Sequence, residues 1–427
     1  MTGSFAIKGW CPGARRPMQS GDGLVVRVRP HAGSVPVGAL KALADAAARF
    51  GNGQIDLTRR ANLQLRGVTA ETLAPLWSVL AALDLLDDDA EREAIRNIVI
   101  NPLAGVDPTE VVDMRPVARA LECRLAAGPG VQQLPGKFGF LLDGGGCLPL
   151  LQLEADIHLV ACRDGADASI AIGLDGPDGL AWLGSTAAAD AAAIAVQLAL
   201  AILKRSPTGR ARALSSEAVS AIRAELGLRS LDRSIANVRQ VASQARGLIA
   251  LANGTYAVGL GAVFGRLDSE AMAALAFELA RLGIAELRLS PWRTLYAGIG
   301  DRADGERLLA FARGSGLIVD DADPLTRVDA CSGVGSCSST TLATRQHARV
   351  LADMAESTGF SGTLHVSGCA KGCARSALAD LVFIGDGDHY RVVRQGTVKD
   401  NAFAELDPAQ IATAGHALLT QEKSAHV

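Results

Sequence analysis

Apolar and polar positions along the chain fall into short blocks with two periods. LVVRVRP (24–30) alternates as a strand does, VGALKALADAAARFG (37–51) repeats leucine and alanine at helical spacing, and IDLTRRANLQLRG (55–67) reads as a second strand. The same order returns as YAVGLGAVFG (256–265), SEAMAALAFELARLG (269–283) and AELRLSPWRTLYAGI (285–299). At a constant offset of 232, Leu43 meets Leu275, Gly51 meets Gly283 and Leu57 meets Leu289, so the chain carries an internal duplication. The repeat continues in weaker form. RNIVINPLAGVDPTEV, a helix through Leu125, LPGKFGFLLDGGG and the strands IHLVAC and ASIAIGLDG answer to VDACSGVGSC, a helix through Glu356, LHVSGCAKGC and the strands DLVFIGDG and YRVVRQG. Both halves therefore predict βαβ, helix, glycine-rich loop and strand pair, an α+β architecture with pseudo-twofold symmetry.

The most apolar run, AAADAAAIAVQLALAIL (187–203), is interrupted by Asp190 and Gln197 and ended by Lys204 and Arg205, which predicts a buried helix and no membrane span. At 427 residues the chain is long enough for two or three domains. Its net charge of −3 carries no basic bias, which argues against nucleic acid as a partner. A soluble, cytoplasmic protein is expected.

Four of the eight cysteines change the picture, because Cys331, Cys337, Cys369 and Cys373 fall close together as C-x5-C and C-x3-C. Disulfides are disfavoured in a chain without a secretory signal, and structural zinc more often shows shorter pair spacings. Buried cysteines placed by chance are a third reading, and an iron–sulfur cluster is the favoured one. Ser338 to Thr341 are good N-cap residues before LATRQHARVLADMAES, which predicts Cys337 at a helix N-terminus, where free N–H groups favour an anionic cluster. Lys371 and Arg375 add positive charge around the second pair.

Cations gather in the first half: Arg59, Arg60 and Arg66 in LTRRANLQLRG, then Arg96 and Lys137. On a continuous strand Arg60, Asn62, Gln64 and Arg66 share one face. A solvated strand face is one reading. The matching LSPWRTLYAGI has lost nearly all of that charge, which fits a polyanion bound on the first-half side only.

With these residues in view, the chain resembles the sulfite and nitrite reductase family, whose members couple siroheme to a 4Fe–4S cluster. The resemblance implies a duplicated fold in which ferredoxin-like half-domains (1–90 and 236–315) pair with two α/β domains, one on the tetrapyrrole side (91–235) and one holding the cluster (316–427). It also implies that the four clustered cysteines hold the cluster, the last of them bridging to the siroheme iron, and that Thr58, Arg59, Gln64, Arg96 and Asn97 hold the tetrapyrrole and its anionic ligand. Two departures stand out. LPGKFGF keeps Lys137 but has Gly139 where the reductases carry a second lysine, and GCAKGCA replaces their filling between the last two cysteines. GWCPG, GDGLVVRV, GNGQIDLTRRANLQLRG and HVSGCAKGCA are similar to a branch in which the tetrapyrrole is substrate. There precorrin-3A is hydroxylated by dioxygen with closure of a γ-lactone, in aerobic cobalamin biosynthesis. That branch implies a monooxygenase, with O2 and NADH as co-substrates, a mononuclear non-haem iron, and electrons delivered by an external reductase or ferredoxin-type protein. Carboxylates of the substrate would then meet Arg59, Arg60, Asn62, Gln64, Arg66, Arg96 and Lys137. His365, shortly before Cys369, is the best-placed candidate iron ligand, though a histidine satisfied by hydrogen bonds is an equal reading. The alternative is a siroheme-dependent sulfite or nitrite reductase. GLGAVFG departs from the dinucleotide-binding pattern, so a nicotinamide is expected to act through a partner.

Overall fold

The computed structural model describes residues 11–164, 167–176, 179–231 and 245–420, and their strands gather into four five-stranded sheets. Two of the sheets form the centre. One runs Met18–Ser20, Gly23–Val28, Leu63–Val68, Gln54–Leu57 and then Arg266–Asp268, a strand lent by the second half. The other runs Gly247–Ala250, Tyr256–Gly261, Thr294–Ile299, Glu286–Leu289 and then Ser34–Pro36, lent by the first half. The crossover begins at matching one-turn 3-10 helices, His31–Gly33 and Val263–Gly265, where Ala32 (φ 48°) and Phe264 (φ 52°) adopt left-handed backbone and swing the chain across.

Helices Val37–Phe50 and Ser269–Arg281 follow the exchanged strands and pack on each other. Their apolar stripes supply Leu40, Leu43, Leu275 and Leu279, all fully buried, to one core that draws on both halves. Each such side chain contributes about 1.5–3 kcal/mol by leaving water. One core thus runs from Ala14 to Leu85 in the first half and from Val258 to Leu317 in the second.

Residues 55–67 are not one strand. Gln54–Leu57 and Leu63–Val68 pair antiparallel across a tight turn in which Asn62 O accepts from Thr58 N (2.9 Å) and Ala61 is left-handed (φ 51°). Leu57, Ala61, Leu63 and Leu65 are all buried at odd positions, so the alternation runs through the turn and conceals it. The mate of this hairpin, Glu286–Leu289 with Thr294–Ile299, turns at Arg293 (φ 59°).

The outer sheets repeat one topology. Ile98–Ile100, Phe140–Asp143 and Ile157–Asp164 run parallel, followed by antiparallel Asp167–Gly176 and Gly179–Thr186. Val328–Ala330, Leu364–Ser367 and Ala379–Asp386 run parallel, followed by antiparallel His389–Gly396 and Ala404–Leu406. Helices Arg115–Ala127 and Ala188–Arg205 cover the first sheet, and Thr344–Thr358 with Ile411–Thr420 covers the second. Ala188–Arg205 buries Ala191, Ala195, Leu198 and Ile202 on one stripe, and no helix among the described residues is long and apolar enough to cross a membrane.

Candidate functional site

Adjacent parallel strands bring the cysteines together. Cys331 follows Val328–Ala330 and Cys369 follows Leu364–Ser367, so both emerge from the C-terminal edge of one sheet, with Cys331 N donating to Val366 O (3.1 Å) and Gly368 N to Cys331 Sγ (3.2 Å). Helix Thr344–Thr358 starts well after Cys337, so Cys337 does not open it as the spacing of N-cap residues predicts. The sulfur at that helix end is Cys331, whose carbonyl accepts from Thr344 Oγ1 (2.9 Å). Burial raises the pKa of Cys369 and Cys373, and the neighbouring thiols, Cys331 and Cys337 among them, raise both further. Four thiols that repel one another's negative charge, on loops poor in competing ligands, fit a polynuclear iron cluster whose cations relieve that repulsion. Among the described residues no three His, Cys, Asp or Glu side chains are gathered so as to hold a single metal ion.

Two carboxylates ringed by guanidiniums flank these loops. Asp56 faces Arg266 (2.7 and 2.8 Å), Arg66 (3.4 Å) and Arg345 (3.5 Å), and Asp329 faces Arg59 (2.7 Å), Arg375 (3.0 Å) and Arg293 (3.2 Å). Burial works against ionisation of both aspartates, but the guanidiniums outweigh it and hold both below the usual carboxylate range. Each ring has more cations than its aspartate neutralises, an environment suited to an anionic cluster and an anionic ligand.

The cations singled out by the sequence divide into two sets. Arg59 and Arg60 sit at the hairpin turn, and Arg60 donates to Lys137 O (3.2 Å), which places Lys137 beside them. Asn97 Nδ2 donates to Gly136 O and Phe138 O on either side of Lys137 and so positions that residue. Asn62 is buried in the turn, its N–H bonded to Thr58 Oγ1. Arg66 and Arg96 are not brought to this place. Arg66 is buried and committed to Asp22, Asp56 and Ser336 O beside Cys337, and Arg96 is buried and committed to Asp87 (2.9 and 2.7 Å) and Arg29 O.

Arg27 is the residue that the charge pattern passed over. Gln64, with its amide oxygen turned toward Arg27, accepts from Nε and Nη2, yet Arg27 Nη1 and Arg60 Nη1 are buried without a partner. Burial lowers the pKa of Arg27; Cys11 works to raise it, and the neighbouring Arg60 lowers it further. The alternation in LVVRVRP sets Arg27 opposite the core-facing Val26 and Val28, a signal that could have found it. Of GWCPG, Gly9 and Trp10 lie outside the described residues. Gly13 abuts Glu93, which also accepts from Ala14 N and Arg29. Gly139 is open: a Cβ there would meet nothing nearer than 3.9 Å.

His365 is 1% exposed, pairs across the sheet with Asp329, and has no partner at either ring nitrogen. Desolvation lowers its pKa to about 4, so it is neutral at pH 7. It does not find the second histidine and free carboxylate of a typical non-haem iron site, since Asp329 is already spent on three arginines.

Residues 16–83 match the nitrite/sulfite reductase ferredoxin-like half domain. Precorrin-3B synthase of Sinorhizobium sp is 33% identical over 407 residues, spanning 94% of this chain and 85% of that protein. Sulfite reductase (ferredoxin) of Mycobacterium tuberculosis is 25% identical, spanning 84% and 69%. The solved structure of Mycobacterium tuberculosis NirA superposes with a TM-score of 0.68 over 91% of this chain and 79% of that one at 18% identity, which establishes the shared fold.

Proposed function

Because the chain belongs to the nitrite and sulfite reductase family, in its precorrin-3B synthase branch, we propose that this oxidoreductase is a monooxygenase acting on precorrin-3A. One atom of dioxygen enters a meso C–H bond as a hydroxyl and the other leaves as water, two electrons and two protons being consumed; a ring acetate then adds through its carboxyl oxygen across the neighbouring ring C=N bond, its proton passing to nitrogen, so that the γ-lactone closes without loss of water. NADH is the ultimate donor, through an external reductase or ferredoxin-type protein. The observation that carries this reading is the likeness to precorrin-3B synthase along nearly the whole length of both chains. The wall at Lys137 supports it. Reducing a small oxyanion calls for convergent cations, and here the glycine at 139 leaves one out although the backbone has room for a side chain.

Arg27, Arg60 and Lys137 are the residues proposed to grip substrate carboxylates, since two buried guanidinium N–H groups there await acceptors. Arg59 serves less directly, linking the hairpin turn to Asp329 and so fixing the turn against the cluster loops. Cys331, Cys337, Cys369 and Cys373 would hold a 4Fe–4S cluster, which supplies electrons one at a time. His365, neutral, can donate from one ring nitrogen and accept at the other when a polar group enters beside it. A mononuclear iron would find His365 as one ligand.

Incubation with precorrin-3A, a reduced ferredoxin-type donor and 18O2 tests the reaction. One labelled oxygen in the lactone product is expected. Product oxygen drawn from water, or turnover indifferent to dioxygen, would show that the reaction is not this one.

A further inference from the structure

A cavity of about 450 Å³ opens against the second half, which lines most of it, with Arg59, Gln152 and Leu153 added from the first. The duplication locates it. Its wall includes Trp292 at the hairpin turn, Arg327 before Val328–Ala330 and Thr363 before Leu364–Ser367. These are the second-half counterparts of Arg60, Asn97 and Gly139, so the cavity is the symmetry mate of the first-half site. Gln152 and Leu153 close it from the opposite α/β domain, where the first-half site meets the cysteine loop.

The hairpin turn keeps one cation here, Arg293, and the cavity draws others from outside it. Five guanidiniums, of Arg59, Arg246, Arg293, Arg327 and Arg375, stand in its wall against the single carboxylate of Asp329. Arg246 pairs with Asp321 through Nη1 (2.9 Å), but its side chain is only 9% exposed and its Nε is buried without a partner. Arg327 engages no carboxylate among the described residues. An arginine-lined recess with a buried guanidinium N–H unsatisfied is built for an anion. The volume lies toward the low end of ligand pockets, about 300–1,000 Å³, which suits a small ligand better than a macrocycle. Planar guanidinium forks pair bidentately with carboxylates, and several of them in one recess favour a ligand that carries more than one carboxylate.

We propose that this cavity is a second anion site, taking a small di- or tricarboxylate. It is separate from the proposed substrate site and does not depend on the identity of that substrate.

Tricarballylate, which lacks the hydroxyl that makes citrate a strong iron chelator, is the probe. Calorimetric titration of the full-length protein at low ionic strength should show one saturable site. Arg327→Gln, which breaks no ion pair, should weaken binding by about tenfold or more, and so should Arg246→Gln, both with cluster absorbance unchanged. Lys137→Gln, in the first-half site, should leave the affinity for tricarballylate as it was. The proposal is overturned by the absence of saturable binding, by unchanged affinity in Arg327→Gln, by loss of binding in Lys137→Gln, or by pyrophosphate binding more tightly than tricarballylate.

Discussion

His365 stays neutral in the fold because burial holds its pKa to about 4, whereas in the unfolded chain a histidine titrates near ~6.5. Between those values the unfolded chain binds a proton that the folded one refuses. Stability therefore falls as pH drops from about 6.5 to 4, by about 3 kcal/mol if the whole shift is expressed. Asp329 acts in a different window: its folded pKa is depressed, so its contribution is complete above about pH 4 and is lost only below that. Urea midpoints at pH 7 and pH 4.5 should differ clearly in the parent protein and much less in His365→Phe; an equal difference in both would mean that His365 is not the group responsible. At the cysteines, Cys369→Ser should strip most iron and acid-labile sulfide, while Cys123→Ser, on an exposed thiol outside the loops, should retain both. The four clustered cysteines stand out in the sequence because their spacing is local, and the structure sets Cys331 and Cys369 at the ends of adjacent strands. The aspartate partners of Arg66 and Arg96 were not legible, because a guanidinium looks the same in sequence whether paired or not. The partners of Arg66 lie far along the chain, Asp22 at a separation of 44 residues and Ser336 at 270.

Hairpins and loops were the elements that periodicity read least well. The turn at Thr58–Asn62 keeps the parity of both flanking strands, so a two-residue period sees one strand where there are two, and Arg59 and Arg60 move from a strand face to the turn, Arg59 exposed and Arg60 half-buried. The helices were plainer, since Val37–Phe50 and Ser269–Arg281 keep helical spacing throughout. The loop at Gly139 offers a direct test of why one cation is missing. Its backbone needs no glycine, since φ there is not left-handed and the nearest atoms to an added Cβ lie at 3.9 Å. Gly139→Lys is expected to fold with stability within about 0.5 kcal/mol of the parent, as ordinary surface substitutions do, measured by urea unfolding. A loss of several kcal/mol would mean that packing, and not function, excludes the lysine.

The whole molecule is held together by the exchanged strands Ser34–Pro36 and Arg266–Asp268, each completing the sheet of the opposite half. Separately expressed 1–235 and 236–427 would each lack an edge strand and expose half of a shared core, so each is expected to remain unfolded or aggregate, and the two to recover structure when co-expressed. Independent folding of either piece, seen as a cooperative thermal transition, would contradict the single core. The duplication itself was legible in the chain; the exchange was not, because a three-residue strand pairs with whatever sheet edge the fold brings to it.

The same architecture serves either a resident tetrapyrrole cofactor or a tetrapyrrole substrate, and the central claim is that here it is substrate. The absorption spectrum of the purified protein, with acid–acetone extraction of any pigment, tests this most directly. A site that must admit precorrin-3A has to be vacant between turnovers, so the spectrum should show the broad shoulder of an iron–sulfur cluster and no Soret or far-red haem band. One extractable siroheme per chain, with reduction of sulfite or nitrite, would contradict it.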